Sequence, residues 1–118
     1  MAFCMYTLIL FLTFVQPLPE RLEAGKYNVY FHSVTDDSYD VVESEVSYIR
    51  DYIRLRDVTN GLVFVGEIRK DTFNFYWYPG VDILCWYEAK VVSPTLAIGH
   101  YDTSYGEFGT FYFIKQER

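Results

Sequence analysis

The chain has 118 residues and a mass of 14.0 kDa, with 51% hydrophobic, 22% charged and 20% aromatic residues. Its 12 Tyr, 10 Phe and 2 Trp, against only 4 Pro and 7 Gly, exclude a disordered tail, a collagen-like repeat and a low-complexity linker, and fit a single domain. A net charge of −6 and a pI near 4.7 argue against nucleic acid or an anionic membrane surface as a partner.

The first segment, Ala2 to Val15, is apolar and uncharged, and Gln16-Pro17-Leu18-Pro19 breaks it before Glu20 and Arg21. Fourteen residues span roughly 21 Å as a helix, short of the ~30 Å hydrocarbon core of a bilayer. The segment therefore reads as a signal peptide. The best small-residue cleavage site follows Ala24, so residues 1–24 are expected to form a leader and 25–118 a single β domain, secreted or otherwise extracytoplasmic. Cys4 lies in the leader and no cysteine ends the apolar run, which excludes a lipoprotein anchor. Cys85 is then alone in the domain and is expected to pack as a small apolar residue.

Next comes a strand, Tyr27 to His32, with Tyr27, Val29 and Phe31 on one side. Asp36, Asp37, Asp40, Glu43 and Glu45 then carry most of the net charge and read as a solvated loop leading into an acidic first helical turn. Val42, Val46, Ile49 and Ile53 fall at helical spacing and Asp40 with Glu43 resembles a capping box, so a short helix near 41–50 competes with a strand.

The middle of the chain reads as hairpins. Asn60-Gly61 is the strongest two-residue turn signal, pairing Val58 with Val63, Arg56 with Val65, Arg54 with Glu67 and Ile53 with Ile68. A turn at Lys70-Asp71 pairs Ile68 with Phe73 and Gly66 with Phe75. A third, at Pro79-Gly80-Val81, pairs Phe75 with Cys85, Phe73 with Tyr87, Tyr76 with Leu84 and Asn74 with Trp86. These strands agree on one inward face: Ile53, Leu55, Phe64, Ile68, Phe73, Phe75, Trp77, Ile83, Cys85 and Tyr87. Two more strands, Leu96 to Tyr101 and Gly109 to Lys115, follow. The predicted fold is mainly β, an antiparallel meander of about six or seven strands forming a small barrel or sandwich. In strand order and apolar lining it resembles lipocalin-like barrels in outline, without a family motif. In so short a chain the inner aromatic rings are expected to fill the interior as a solid core.

Motifs for chemistry are sparse. His100 and Asp102 share one side of a strand, but no G-x-S-x-G or activated cysteine accompanies them, so no catalytic residue is assigned and an enzyme using that pair is the weakest alternative. Glu88 and Asp82, six residues apart, stand roughly 20 Å from each other on a strand, too far for glycosidase chemistry. No metal site, P-loop, dinucleotide motif or N-glycosylation sequon is present, and no cofactor is implied.

The outward face is the informative departure. It carries Val58, Val63, Val65, Tyr76, Tyr78, Leu84 and Trp86, where a solvated face should be polar. Either the helix or the remaining strands cover it, or it recognises something. The leading expectation is an exported, non-catalytic binding module whose Tyr76, Tyr78, Leu84 and Trp86 contact a protein or carbohydrate partner, or a second copy in a homodimer. The alternative is a lipocalin-like carrier of a small apolar ligand, with Phe73, Phe75, Trp77 and Tyr87 lining a cavity.

Overall fold

The computed structural model describes residues 21–77 and 85–117. Eight antiparallel strands form a meander: β1 (Gly25–Ser33), β2 (Ser38–Ile49), β3 (Tyr52–Asp57), β4 (Val63–Arg69), β5 (Thr72–Trp77), β6 (Cys85–Ser93), β7 (Leu96–Thr103) and β8 (Phe108–Lys115). Each pairs with the next, and β8 pairs back onto β1, with Phe113 opposite Val29 and Phe111 opposite Phe31, so the sheet closes into a barrel without free edges.

The helix considered near 41–50 is absent: that stretch lies within β2, with Val46 opposite Gly25 of β1 and Leu55 of β3. Val42 and Val46 satisfy a period of two as well as a helical one. The β-branched Val41, Val42, Val46 and Ile49 suit a strand whose two edges are both claimed by neighbours. With this strand the count rises to eight.

Two registers also differ from expectation. At the β3–β4 hairpin Leu55 pairs with Phe64 and Arg54 with Val65, two residues away from the pairing an Asn60-Gly61 two-residue turn dictates. The loop is longer because Asp57 organises it. Its carboxylate accepts from Thr59 N (2.9 Å), its carbonyl accepts from Gly61 N (2.8 Å), and Asn60 Oδ1 accepts from Leu62 N (2.9 Å). Only Gly61 of the Asn-Gly pair takes the left-handed conformation, at φ 77°. At β5–β6 the pairing is again displaced by two, with Phe75 opposite Tyr87 and Tyr76 opposite Trp86. The Lys70-Asp71 hairpin has the expected register, Ile68 facing Phe73. Both displacements are even, so every side chain keeps its face.

The inward face is accordingly as read. Ile53, Leu55, Phe73, Phe75 and Cys85 are buried, while Phe64, Ile68 and Tyr87 pack against them half-buried. Ile83 and the side chain of Trp77 lie outside the described residues. One end of the barrel, here the base, is packed solid. Tyr27, Phe73 and Phe113 meet edge to face there, Tyr27 to Phe113 at 6.1 Å and Phe73 to Phe113 at 5.7 Å, beside Val46, Ile53, Val91 and Ala97.

The segment before β1 seals that end. Leu22 is 2% exposed, and its carbonyl accepts from Tyr48 Oη at 2.6 Å. The Tyr27 hydroxyl donates to the carbonyls of Glu23 (2.8 Å) and Pro94 (3.2 Å), and Glu23 N donates to Pro94 O. Arg21 pairs with Asp51 over the Tyr48 ring, and Glu23 pairs with Lys115. Cleavage after Ala24 therefore removes a core side chain.

Candidate ligand-binding cup

The inward positions change character along four of the strands. β1 runs from Tyr27 and Val29 at the base through Phe31 to Ser33; β2, in the opposite sense, from Val46 through Ser44 and Val42 to Asp40; β3 from Ile53 through Leu55 to Asp57; β7 from Ala97 through Gly99 and Tyr101 to Thr103. On these four strands apolar residues stand at the base and polar ones at the other end, the mouth, while Phe64, Phe75, Tyr87 and Phe111 of the other strands wall the space between. The consequence is a cavity of about 430 Å³ in the upper half of the barrel, beneath the loops 34–37, 58–62 and 104–107. A solid interior, expected from the ring count, is corrected here: the rings fill the base and only wall the mouth.

That wall is a connected aromatic cluster. Phe31 lies 6.4 Å from Tyr87, 6.0 Å from Tyr101 and 5.7 Å from Phe111, and Tyr87 lies 5.8 Å from Phe75 and 5.9 Å from Tyr101. The opposite side is smaller and more polar, with Ser38, Val42 and Ser44 of β2 and Leu55 and Asp57 of β3. Ser33 is 4% exposed, and its Oγ is buried without a hydrogen-bond partner. It lies beside Tyr101 and Asp36 without reaching bonding geometry with either. A buried hydroxyl left unpaired costs on the order of 1–3 kcal/mol, which a bound polar group would recover.

The loop at 104–107 sets the acid rim. Thr103 Oγ1 and Thr103 N both donate to the Glu107 carbonyl, at 2.7 and 2.9 Å, and Gly106 takes φ 92° to close the turn. This holds the Glu107 carboxylate 3.5 Å from the Tyr101 hydroxyl. Asp40 and Asp57 also reach the cavity, and no Lys, Arg or His is among the described residues that line it. Burial raises the Tyr87 hydroxyl and the Cys85 thiol above their ordinary ranges, which favours the protonated form of both near neutrality.

Of the residues expected to line a cavity, Phe75 and Tyr87 wall the cup and Phe73 packs in the base, while those singled out for a surface patch or for catalysis lie elsewhere. Tyr76 and Trp86 face each other directly on the outer surface, 44% and 39% exposed, with Asp102 opposite Trp86 on the next strand. Tyr78 and Leu84 lie outside the described residues. His100 and Asp102 are both on the outer face of β7. His100 is exposed, 4.0 Å from Glu88 and away from the cavity. Asp82 lies outside the described residues. Sequence reasoning missed Ser33, Ser44, Thr103 and Glu107. Its signal was the end of each inward track, where Ser, Thr or Asp replaces a ring.

No protein-family model matches the chain, and no curated protein does. Among solved structures it is similar to a redesigned beta barrel designated b11L5F_LGL, at a TM-score of 0.55 and 18% identity, over 80% of this chain and 91% of that one. That likeness supports an all-β, closed eight-stranded meander and nothing beyond the fold.

Proposed function

We propose that the protein is a non-catalytic carrier that holds a small, mostly apolar ligand in the barrel mouth. The observation that carries this reading is the half-hollow interior: a cavity of about 430 Å³, sealed below by Leu22 and the base rings and walled by aromatic side chains. Ligand pockets commonly run about 300–1,000 Å³, apolar with a few placed polar groups, and the unpaired Ser33 hydroxyl is such a group. The uncharged run at Ala2 to Val15 supports the carrier's being exported. The test is fluorescence titration with N-phenyl-1-naphthylamine, a neutral probe that brightens in apolar surroundings. Wild type should enhance it saturably, and Ser44→Phe, which fills the cup, should abolish the enhancement with circular dichroism unchanged. Equal enhancement by both proteins would place the probe elsewhere and count against the carrier.

A second reading is favoured by one specific observation, the exposed pairing of Tyr76 with Trp86. Two large rings side by side on a strand pair suit a flat partner surface or a sugar face. On this reading Trp86→Ala weakens capture of a protein or glycan partner without altering probe binding in the cup.

A further inference from the structure

We infer that the cup selects an organic cation, an amine whose apolar body lies against the Phe31, Tyr87 and Tyr101 rings and whose ammonium group meets Glu107. The inference rests on the carrier reading and adds the ligand's charge.

Four observations support it. The cavity is walled by the rings of Phe31, Tyr87 and Tyr101, and aromatic rings attract a cation through their quadrupoles. Three carboxylates, Asp40, Asp57 and Glu107, reach it, and among the described residues no Lys or Arg is paired with any of them. Of the three, Glu107 is the one without a backbone N–H donor among the described residues: Asp57 accepts from Thr59 N and Asp40 from Val41 N, whereas Glu107 meets the hydroxyls of Tyr101, at 3.5 Å, and Tyr105. Finally, the buried Ser33 Oγ, unpaired in the cavity wall, offers an ammonium group an acceptor beside Tyr101.

The charge layout of the whole barrel has the same sense. The mouth loops 34–37, 58–62 and 104–107 contain Asp36, Asp37 and Glu107 and no Lys or Arg. At the base, acids are matched by bases, Arg21 with Asp51 and Lys115 with Glu23. His32 faces outward near the mouth and is held by Asp37 at 2.9 Å. A low-dielectric cup rimmed by uncompensated acid focuses a field that concentrates cations and repels anions.

Three probes of nearly one shape separate the possibilities: tryptamine, a cation at pH 7, 3-methylindole, which is neutral, and indole-3-propionate, an anion. Isothermal titration at low salt should rank tryptamine about tenfold tighter than 3-methylindole, as a charge-assisted contact implies, and should detect no binding of indole-3-propionate. Raising the salt should weaken tryptamine alone. Glu107→Gln should lose most of the tryptamine advantage and leave 3-methylindole within about twofold. Equal affinities for tryptamine and 3-methylindole, unmoved by Glu107→Gln, would overturn the charge selectivity and leave the carrier standing. Failure of all three to bind, with N-phenyl-1-naphthylamine also silent, would overturn both. The anion comparison uses wild type only and does not depend on any variant folding.

Discussion

Gly99 occupies an inward position on β7 where the ring of Phe111 and the carbonyl of Glu88 leave no room for a β-carbon. Gly66 plays the same part beneath Phe75. In a barrel this small, such glycines let large rings lie across the sheet instead of colliding with it. Gly99→Ala should therefore destabilise by about 1–3 kcal/mol through overpacking, read as a lower midpoint in urea. An unchanged midpoint would mean that Phe111 can move aside. Tyr27 makes a second prediction at this scale. It is fully buried, and burial together with the nearby Tyr48 and Glu23 raises its hydroxyl above the ordinary tyrosine range. A raised folded value means that the neutral form is favoured by folding. The contribution is intact below the unfolded value of about 10 and is lost as pH rises above it. The melting temperature should fall steeply above about pH 10, and less steeply in Tyr27→Phe, although that variant starts lower because the Glu23 carbonyl loses its donor and the Pro94 carbonyl keeps only Glu23 N.

At the scale of elements, the segment Arg21 to Ala24 belongs to the barrel although it precedes the first strand. Leu22 is the side chain that seals the base, and Leu22→Ala should cost about 2–5 kcal/mol. A chain beginning at Gly25 should be destabilised further, since it also loses the Arg21–Asp51 and Glu23–Lys115 pairs. Comparing thermal unfolding of chains that begin at Arg21 and at Gly25 checks this; equal midpoints would show that Leu22 is dispensable. The hairpins illustrate what local sequence can and cannot specify. Alternation from Ile53 to Tyr87 assigns the inward residues correctly wherever they are described, because face depends only on parity. Register does not follow from parity. At Asn60-Gly61 the deciding group was Asp57, whose carboxylate and carbonyl gather a longer loop, a competition that the dipeptide alone does not reveal. Residues 41–50 were ambiguous for a related reason: Val42 and Val46 fit either period, and the choice was made by β1 and β3, which lie on both sides of β2.

At the scale of the whole molecule, closure decides the function that the geometry favours. Once β8 meets β1, the inner face is sealed at the base by Leu22 and open at the mouth, and the outer face carries charged residues such as Arg54, Glu67, Glu88 and Lys90 among Tyr76, Trp86 and Ile98. The outward placement of Tyr76 and of Trp86 was legible because an aromatic stands out where a polar residue is expected, but their pairing was not, since the expected register set Tyr76 against Leu84 and Trp86 against Asn74. Of the cup only the aromatic wall at Phe75 and Tyr87 was legible, because the polar part of the lining is assembled from separate strands and loops: Ser33, Ser44 and Glu107 share one cavity only when the barrel closes. A composition rich in rings suggested a filled core, whereas what matters is where along the strands the rings stand.

The central claim is that the mouth of the barrel takes a ligand, and the most direct measurement is a backbone amide NMR titration of the isotopically labelled chain with N-phenyl-1-naphthylamine. The account predicts saturable shifts at Ser33, Ser44, Tyr87, Thr103 and Glu107, with the Trp86 indole signal unmoved. Shifts confined to Trp86 and Tyr76, with the cup residues still, would contradict it and leave the outer surface as the binding face.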